Sequence, residues 1–136
     1  MRKYWILPHT ADVRFKLEGD TLAELFTAGL EALGEILCQT KLPTGPLTAG
    51  EITLEAEDET ALLIDFLSEV VSRGYSQKVL FTKVVWKELG KTSLKAKLYC
   101  LPVVNFDEDI KAVTYHEANI VKNKQGVYET TVVLDI

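Results

Sequence analysis

The chain has 136 residues, a length that suggests one domain spanning residues 1–136. Apolar residues make up 47% and charged residues 26%, so a core can form without disulfides or a structural metal. The net charge of −5 argues against a dedicated nucleic-acid binder, which needs a concentrated positive field, but leaves room for a local basic patch. The first element is a strand in which Trp5 and Leu7 alternate with Tyr4 and Ile6, so both faces are expected to be covered. The N-terminus runs directly into it, with no signal-peptide pattern. After Pro8, the turn His9-Thr10-Ala11-Asp12 leads into Val13, Phe15 and Leu17, which alternate with Arg14, Lys16 and Glu18. That is a strand with one wet face, and by parity Asp12 shares this face with Arg14.

Thr21 and Glu24 read as a capping box opening a helix whose apolar face holds Leu22, Leu25, Phe26, Leu33, Ile36 and Leu37. Gly29 falls on that face, where close packing against a neighbour would account for it. Residues 40–50, with two prolines and two glycines, read as a loop. Ile52, Leu54 and Ala56 then mark a strand. Asp58 is placed to cap a second helix with the stripe Leu62, Leu63, Phe66, Leu67, Val70 and Val71, and Gly74 reads as its stop. Asp65 defaults to a solvated helix face.

The remainder reads as strands. Residues 79–89 and 93–101 flank the hairpin signal Gly90-Lys91-Thr92. A loop over 102–109 follows. Residues 110–121 and 127–136 flank a turn containing Lys124-Gln125-Gly126. The order predicts an α+β domain, a largely antiparallel sheet packed with two amphipathic helices. Cys38 and Cys100 match no metal spacing and read as buried, reduced thiols of a cytoplasmic protein. No apolar run is long enough to cross a membrane.

Few residues offer chemistry. Asp135 and the α-carboxylate of Ile136 sit on adjacent residues at a strand end, and Asp12 begins another strand. If those ends meet, carboxylates converge, and such a cluster needs protons or a cation. Its hard oxygen donors suit Ca²⁺ or Mg²⁺ rather than zinc. By spacing alone the plainer account is stronger, with Asp12 as an Asx-turn residue and Asp135 as a solvated end. His9 reads first as a turn-fixing histidine. His116 reads first as a half-buried strand residue and Lys111 as a solvated charge. In a regular strand the last two point to opposite faces, so a shared site would need a bulge or a strand end. The Lys95–Lys97 edge is too small for a nucleic-acid patch. There is no Gly-rich phosphate loop, and no nucleophile accompanied by a base.

Three segments together nevertheless resemble the archease family: "HTADV" at 9–13, "IKAVTYH" at 110–116 and "VVLDI" at 132–136. "ALLIDFL" on the second predicted helix is similar to a family segment as well. The resemblance runs in order over essentially the whole chain. It implies an accessory protein rather than a free-standing enzyme. Archeases assist the 3′-phosphate RNA ligase of tRNA splicing, promoting its guanylylation and multiple turnover and widening its nucleotide choice. The family binds a divalent cation, seen as calcium, through residues that correspond here to Asp12, Asp135 and Ile136. Mg²⁺ or Mn²⁺ would also suit those donors. Lys111, His9 and His116 match the family's lysine and histidines and would meet the ligase or its nucleotide. RNA would be reached only through the ligase.

The resemblance reverses the order of the two accounts of Asp12 and Asp135. One departure is visible: the family's Gly-Glu pair ahead of the KAxTYH strand is missing, leaving Asp107, Glu108 and Asp109 in that region. Two other functions compete. A general chaperone or modulator of nucleic-acid enzymes would show an exposed apolar patch and little dependence on Asp12. A small metal-dependent hydrolase using Asp12, Asp135 and His9 would show intrinsic activity with Mg²⁺ or Mn²⁺. Extending the chain beyond Ile136 converts its carboxylate into a neutral amide, so a C-terminal tag is expected to weaken calcium binding. Equal affinity with and without the tag, by titration calorimetry, would show that the carboxylate is not a ligand.

Overall fold

The computed structural model describes residues 1–7, 12–39 and 42–136. In chain order its elements are β1 (Arg2–Leu7), β2 (Asp12–Gly19), α1 (Leu22–Leu37), β3 (Thr48–Glu55), α2 (Glu59–Gln77), β4 (Val79–Leu89), β5 (Ser93–Pro102), β6 (Ala112–Thr114), β7 (Val121–Lys122) and β8 (Tyr128–Asp135). The class is α+β, with two helices and antiparallel strands as the pattern predicts. The strands divide between two sheets. One has the order β1-β2-β8-β6, with β7 also paired to β8, and the other has the order β3-β5-β4. Each helix packs against strands of both sheets, so the helices fill the space between them. This explains why α2 buries Ile64 in addition to its predicted stripe. Among the described residues no helix is long and apolar enough to cross a membrane.

The strongest alternation gives the most central strand. On β2, Val13, Phe15 and Leu17 are buried while Arg14, Lys16 and Glu18 stay partly exposed. β1 departs from expectation. It is an edge strand, and Trp5 and Ile6 remain 42% and 39% exposed. α1 covers only its inner side, where Tyr4 bonds Glu35 and Arg2 bonds Glu31. On the outer side the Lys16 ammonium lies 5.7 Å from the Trp5 ring centroid.

Both helix starts are capped by side chains. Thr21 Oγ1 accepts from the Glu24 N–H at 3.1 Å. The Glu24 carboxylate reaches back to the Asp20 N–H, one residue earlier than a capping box requires. Asp58 accepts from the Ala61 N–H at 2.8 Å. Helix α2 does not stop at Gly74. It ends at Lys78, whose φ of 56° is left-handed. Gly74 is needed for another reason, since a Cβ there would lie 3.2 Å from the Val79 carbonyl oxygen. Between the helices, Phe26, Phe66 and Trp86 pack with centroids 5.2–5.9 Å apart. The Trp86 indole N–H donates to Thr27 Oγ1 at 3.1 Å.

Two further boundaries moved. Residues 48–50, read as loop, extend β3, because the register with β5 runs as far as Thr48 opposite Cys100. The single strand expected over 110–121 breaks after Thr114 and resumes only as β7. Glu117 adopts a left-handed φ of 64° in the break. Side chains take backbone donors there: Thr130 Oγ1 accepts from the Asn119 N–H and Thr60 Oγ1 from the Ile120 N–H, each at 3.0 Å. Both cysteines are free. Cys100 is buried, whereas Cys38 is only half-buried.

The loop before β6 is tied down at both ends. The Asp107 N–H donates to the Leu37 carbonyl at 2.8 Å, and its carboxylate accepts from the Gln39 N–H. The Tyr75 hydroxyl donates to the Glu108 carbonyl at 2.8 Å and accepts from the Ile110 N–H at 2.7 Å. Phe106 packs edge-on against Tyr75. One helix residue thereby sets where Lys111 begins.

Helix glycines give a paired test. A Cβ on Gly29 would lie 3.0 Å from Leu67 Cδ2 and 3.3 Å from Leu17 Cδ1, whereas one on Gly34 would meet nothing within 4 Å. Gly34→Ala is therefore expected to stabilise by about 0.5–1 kcal/mol through helix propensity. Gly29→Ala is expected to lose that gain to overpacking of about 1–3 kcal/mol. Urea unfolding midpoints check both. Tyr75→Phe leaves two backbone groups without their partner and should cost about 1–2 kcal/mol. Burial is the main cause that raises the Tyr75 pKa above its usual value near 10. The folded state thus keeps the proton longer than the unfolded state, and stability falls as pH rises from about 10. Wild-type stability should drop more steeply than that of Tyr75→Phe across that range, as followed by alkaline denaturation.

Candidate functional site at the β2–β8 rim

The antiparallel register places Asp12 directly opposite Asp135. The same pairing sends Val13 and Leu134 into the core, so the two carboxylates emerge on the outer face at one end of the sheet. On the other side of β8, Ala112 stands opposite Asp135. The Lys111 N–H donates to the Asp135 carbonyl at 2.8 Å. Ile136 packs its side chain against the core, which leaves its main chain at the same rim. Asp12, Asp135, Ile136 and Lys111 therefore converge. His9 lies outside the described residues.

Positive charge partly offsets the carboxylates. Arg14 Nε lies 3.6 Å from Asp12 Oδ1, a loose contact, while its Nη1 lies 2.7 Å from Glu117 Oε2. His116 Nε2 stands 3.9 Å from the same Glu117 oxygen. His116 is thus joined to Asp12 through Glu117 and Arg14. It is exposed in the turn after β6 rather than half-buried in a strand, because the strand has already ended. That ending also removes the parity argument that set His116 and Lys111 on opposite faces. Arg14 and Glu117 were missed from sequence. Arg14 could have been found, since it shares a face with Asp12, but Glu117 arrives only through the break in the strand.

Asp65 is partly exposed, as a helix-face residue should be, but it also has a partner. It accepts a hydrogen bond from the Tyr115 hydroxyl, joining α2 to the turn that carries His116. This bond raises the Tyr115 phenol pKa above its usual value. Beside Lys111 an open groove of about 640 Å³ runs between α2 and β6, lined by Ser72, Tyr75, Ile110 and Val113 among others.

The donor chemistry fits a hard divalent cation. Two side-chain carboxylates lie on opposing residues, main-chain oxygens of Ile136 adjoin them, and no sulfur ligand is near the register pair. Among the described residues, no three His, Cys, Asp or Glu side chains form a ligand cluster. Among the described residues a third ligand there would have to come from the main chain, and Ile136 is placed to supply it.

The sequence matches the Archease protein family over residues 4–136. It is 34% identical to the protein archease of Methanosarcina barkeri, covering 99% of this chain and 97% of that one. It is 33% identical to the protein archease of Thermococcus kodakarensis over the full length of both. Among solved structures it is similar to protein 1598 of Methanobacterium thermoautotrophicum, with a TM-score of 0.73, 26% identity and 98% of each chain covered. The fold also matches an archease from Thermotoga maritima, described as a possible chaperone, with a TM-score of 0.70, 22% identity, and 96% and 94% of the two chains covered. With the family match running from the first strand through the paired carboxylates to Ile136, the chain belongs to the archease family.

Proposed function

We propose that this protein is a non-catalytic activator of a 3′-phosphate RNA ligase, acting at the rim where Asp12 faces Asp135. The observation that carries this reading is the register itself. Two carboxylates, the Ile136 main chain and the pinned backbone of Lys111 meet at one sheet end, at the positions where this chain resembles its family. Asp12, Asp135 and a main-chain oxygen of Ile136 would hold a divalent cation, Ca²⁺ being the best fit to hard oxygen donors. The cation would offset the repulsion between the acidic groups and give the rim a defined shape. Lys111, His116 and, from sequence, His9 would meet the ligase or its nucleotide. Lys111 is suited to a nucleotide phosphate because its ammonium is a mobile point charge on an exposed stem while its backbone stays fixed.

A second reading is a chaperone-like modulator with several clients. It draws on the description of the Thermotoga maritima relative and on the exposed Trp5 and Ile6 of edge strand β1. The two readings differ in their dependence on Asp12.

Guanylylation of the ligase from the same organism separates them, run alone, with catalytic amounts of wild type, and with Asp12→Ala. Stimulation by wild type and at least a tenfold loss in the variant is the expected result. Equal stimulation by both would discard the carboxylate mechanism while keeping the partner. No stimulation by either would discard the ligase.

A further inference from the structure

The hairpin Val79–Pro102, formed by β4 and β5, holds five lysines and one glutamate. Its net charge is +4 in a chain of net charge −5, so everything else carries −9. The fold arranges much of this charge on one face. On β5, Leu94, Ala96, Leu98 and Cys100 point into the core, while Lys95, Lys97 and Tyr99 point outward. Lys83 of β4 stands opposite Tyr99, and the exposed Val85 stands opposite Lys97. The Lys83 and Lys97 ammonium groups lie 5.6 and 5.4 Å from the centroid of the Tyr99 ring. Lys87 is neutralised by Glu51 at 2.5 Å. Among the described residues Lys83, Lys95 and Lys97 lie within 4 Å of no carboxylate, although Glu51, on the neighbouring strand opposite Lys97, draws on its charge as well as on that of Lys87. Both helices pack on the other side of this sheet, so the outer face is open.

We propose that this face binds single-stranded RNA, with Lys83, Lys95 and Lys97 on the phosphates and a base stacked on Tyr99. The geometry favours a polynucleotide over an acidic peptide because the lysines surround an aromatic ring. Carboxylates need only the ammonium groups, whereas an unpaired base uses the ring as well. Phosphates would draw the two ammonium groups off the Tyr99 face and clear it for the base. The outer face of a three-stranded sheet presents no helix or projecting ribbon to enter a duplex groove, which favours an unpaired strand. The choice of RNA over DNA rests on the ligase reading; the basic aromatic face does not.

Fluorescence anisotropy with a labelled oligouridylate of about ten nucleotides tests the proposal. With three phosphate contacts, the logarithm of affinity should fall against the logarithm of salt with a slope of about −2. Lys83→Gln with Lys97→Gln should weaken binding about tenfold at 50 mM salt and reduce the slope to about −0.7. Tyr99→Leu should weaken binding about fivefold and leave the slope unchanged. These side chains lie outside the core, so folding is expected to hold, and Lys83→Gln alone gives a smaller change in the same direction. No binding by wild type, unchanged binding by the variants, or equal displacement by polyglutamate would overturn the proposal. Oligodeoxythymidylate should bind with similar affinity, because phosphates and a stacked base are common to both polymers. Ligase guanylylation involves no RNA and should be unchanged in the lysine variant, so failure here and failure of the activator reading are separate results.

Discussion

The antiparallel pairing of β2 with β8 is the constraint from which the rest follows. Its register is held by burial: Phe15 and Leu17 on one strand, Val132 and Leu134 on the other, all with no exposed surface. Slipping by one residue would turn each of these to solvent, at a cost of about 1.5–3 kcal/mol per side chain. The same register sets Asp12 against Asp135, like charges directly opposite each other, which is unfavourable for a strand pair. The core thus imposes a repulsive arrangement at the rim. Such repulsion is tolerated where something else uses it, and here it leaves acidic oxygen donors in a defined place.

The helices convert that rim into a surface. α2 lies between the sheets and contributes two clamps on the segment around β6. Tyr75 orders the approach through Glu108 and Ile110, and Asp65 holds Tyr115 after the strand ends. Lys111 sits between these clamps, exposed at the side chain but constrained at the backbone, and exposed His116 directly follows the second. The missing Gly-Glu pair bears on the same region. Asp107 is engaged at the end of α1, so part of the acidic run that stands there serves to anchor the loop.

Charge is distributed as unevenly as the polar contacts. The acidic rim belongs to the five-stranded sheet and the lysine-rich face to the three-stranded one. A net charge of −5 averages over this separation and hides it. Fields near a surface follow local charges over roughly 8–10 Å at physiological salt, so one molecule can present opposite signs to different partners.

Short-range pattern was enough for most elements. The alternation around Phe15, the stripes from Leu25 to Leu37 and from Leu62 to Val71, the cap at Asp58 and the hairpin at Gly90 all depend on neighbours within a few residues. The close approach at Gly29 was legible too, because a glycine on an apolar helix face has few other uses. The family segments named Asp12, Asp135, Ile136, Lys111 and His116, and the fold brought four of these to one rim with His116 linked through Arg14 and Glu117. What pattern could not supply was everything set by layer order. It did not show that β1 lies at an edge with Trp5 uncovered, that Thr60 and Thr130 would break the strand near His116, or that Asp65 would meet Tyr115. Nor could it place Lys83 across from Tyr99 beside Lys97. These contacts join residues from 11 to 60 positions apart. By itself the sequence determined which faces of β2, α1 and α2 must be buried, because hydrophobic periodicity is local. Only the tertiary structure decided which polar groups those buried faces would bring together, because that depends on which strands and helices pack side by side.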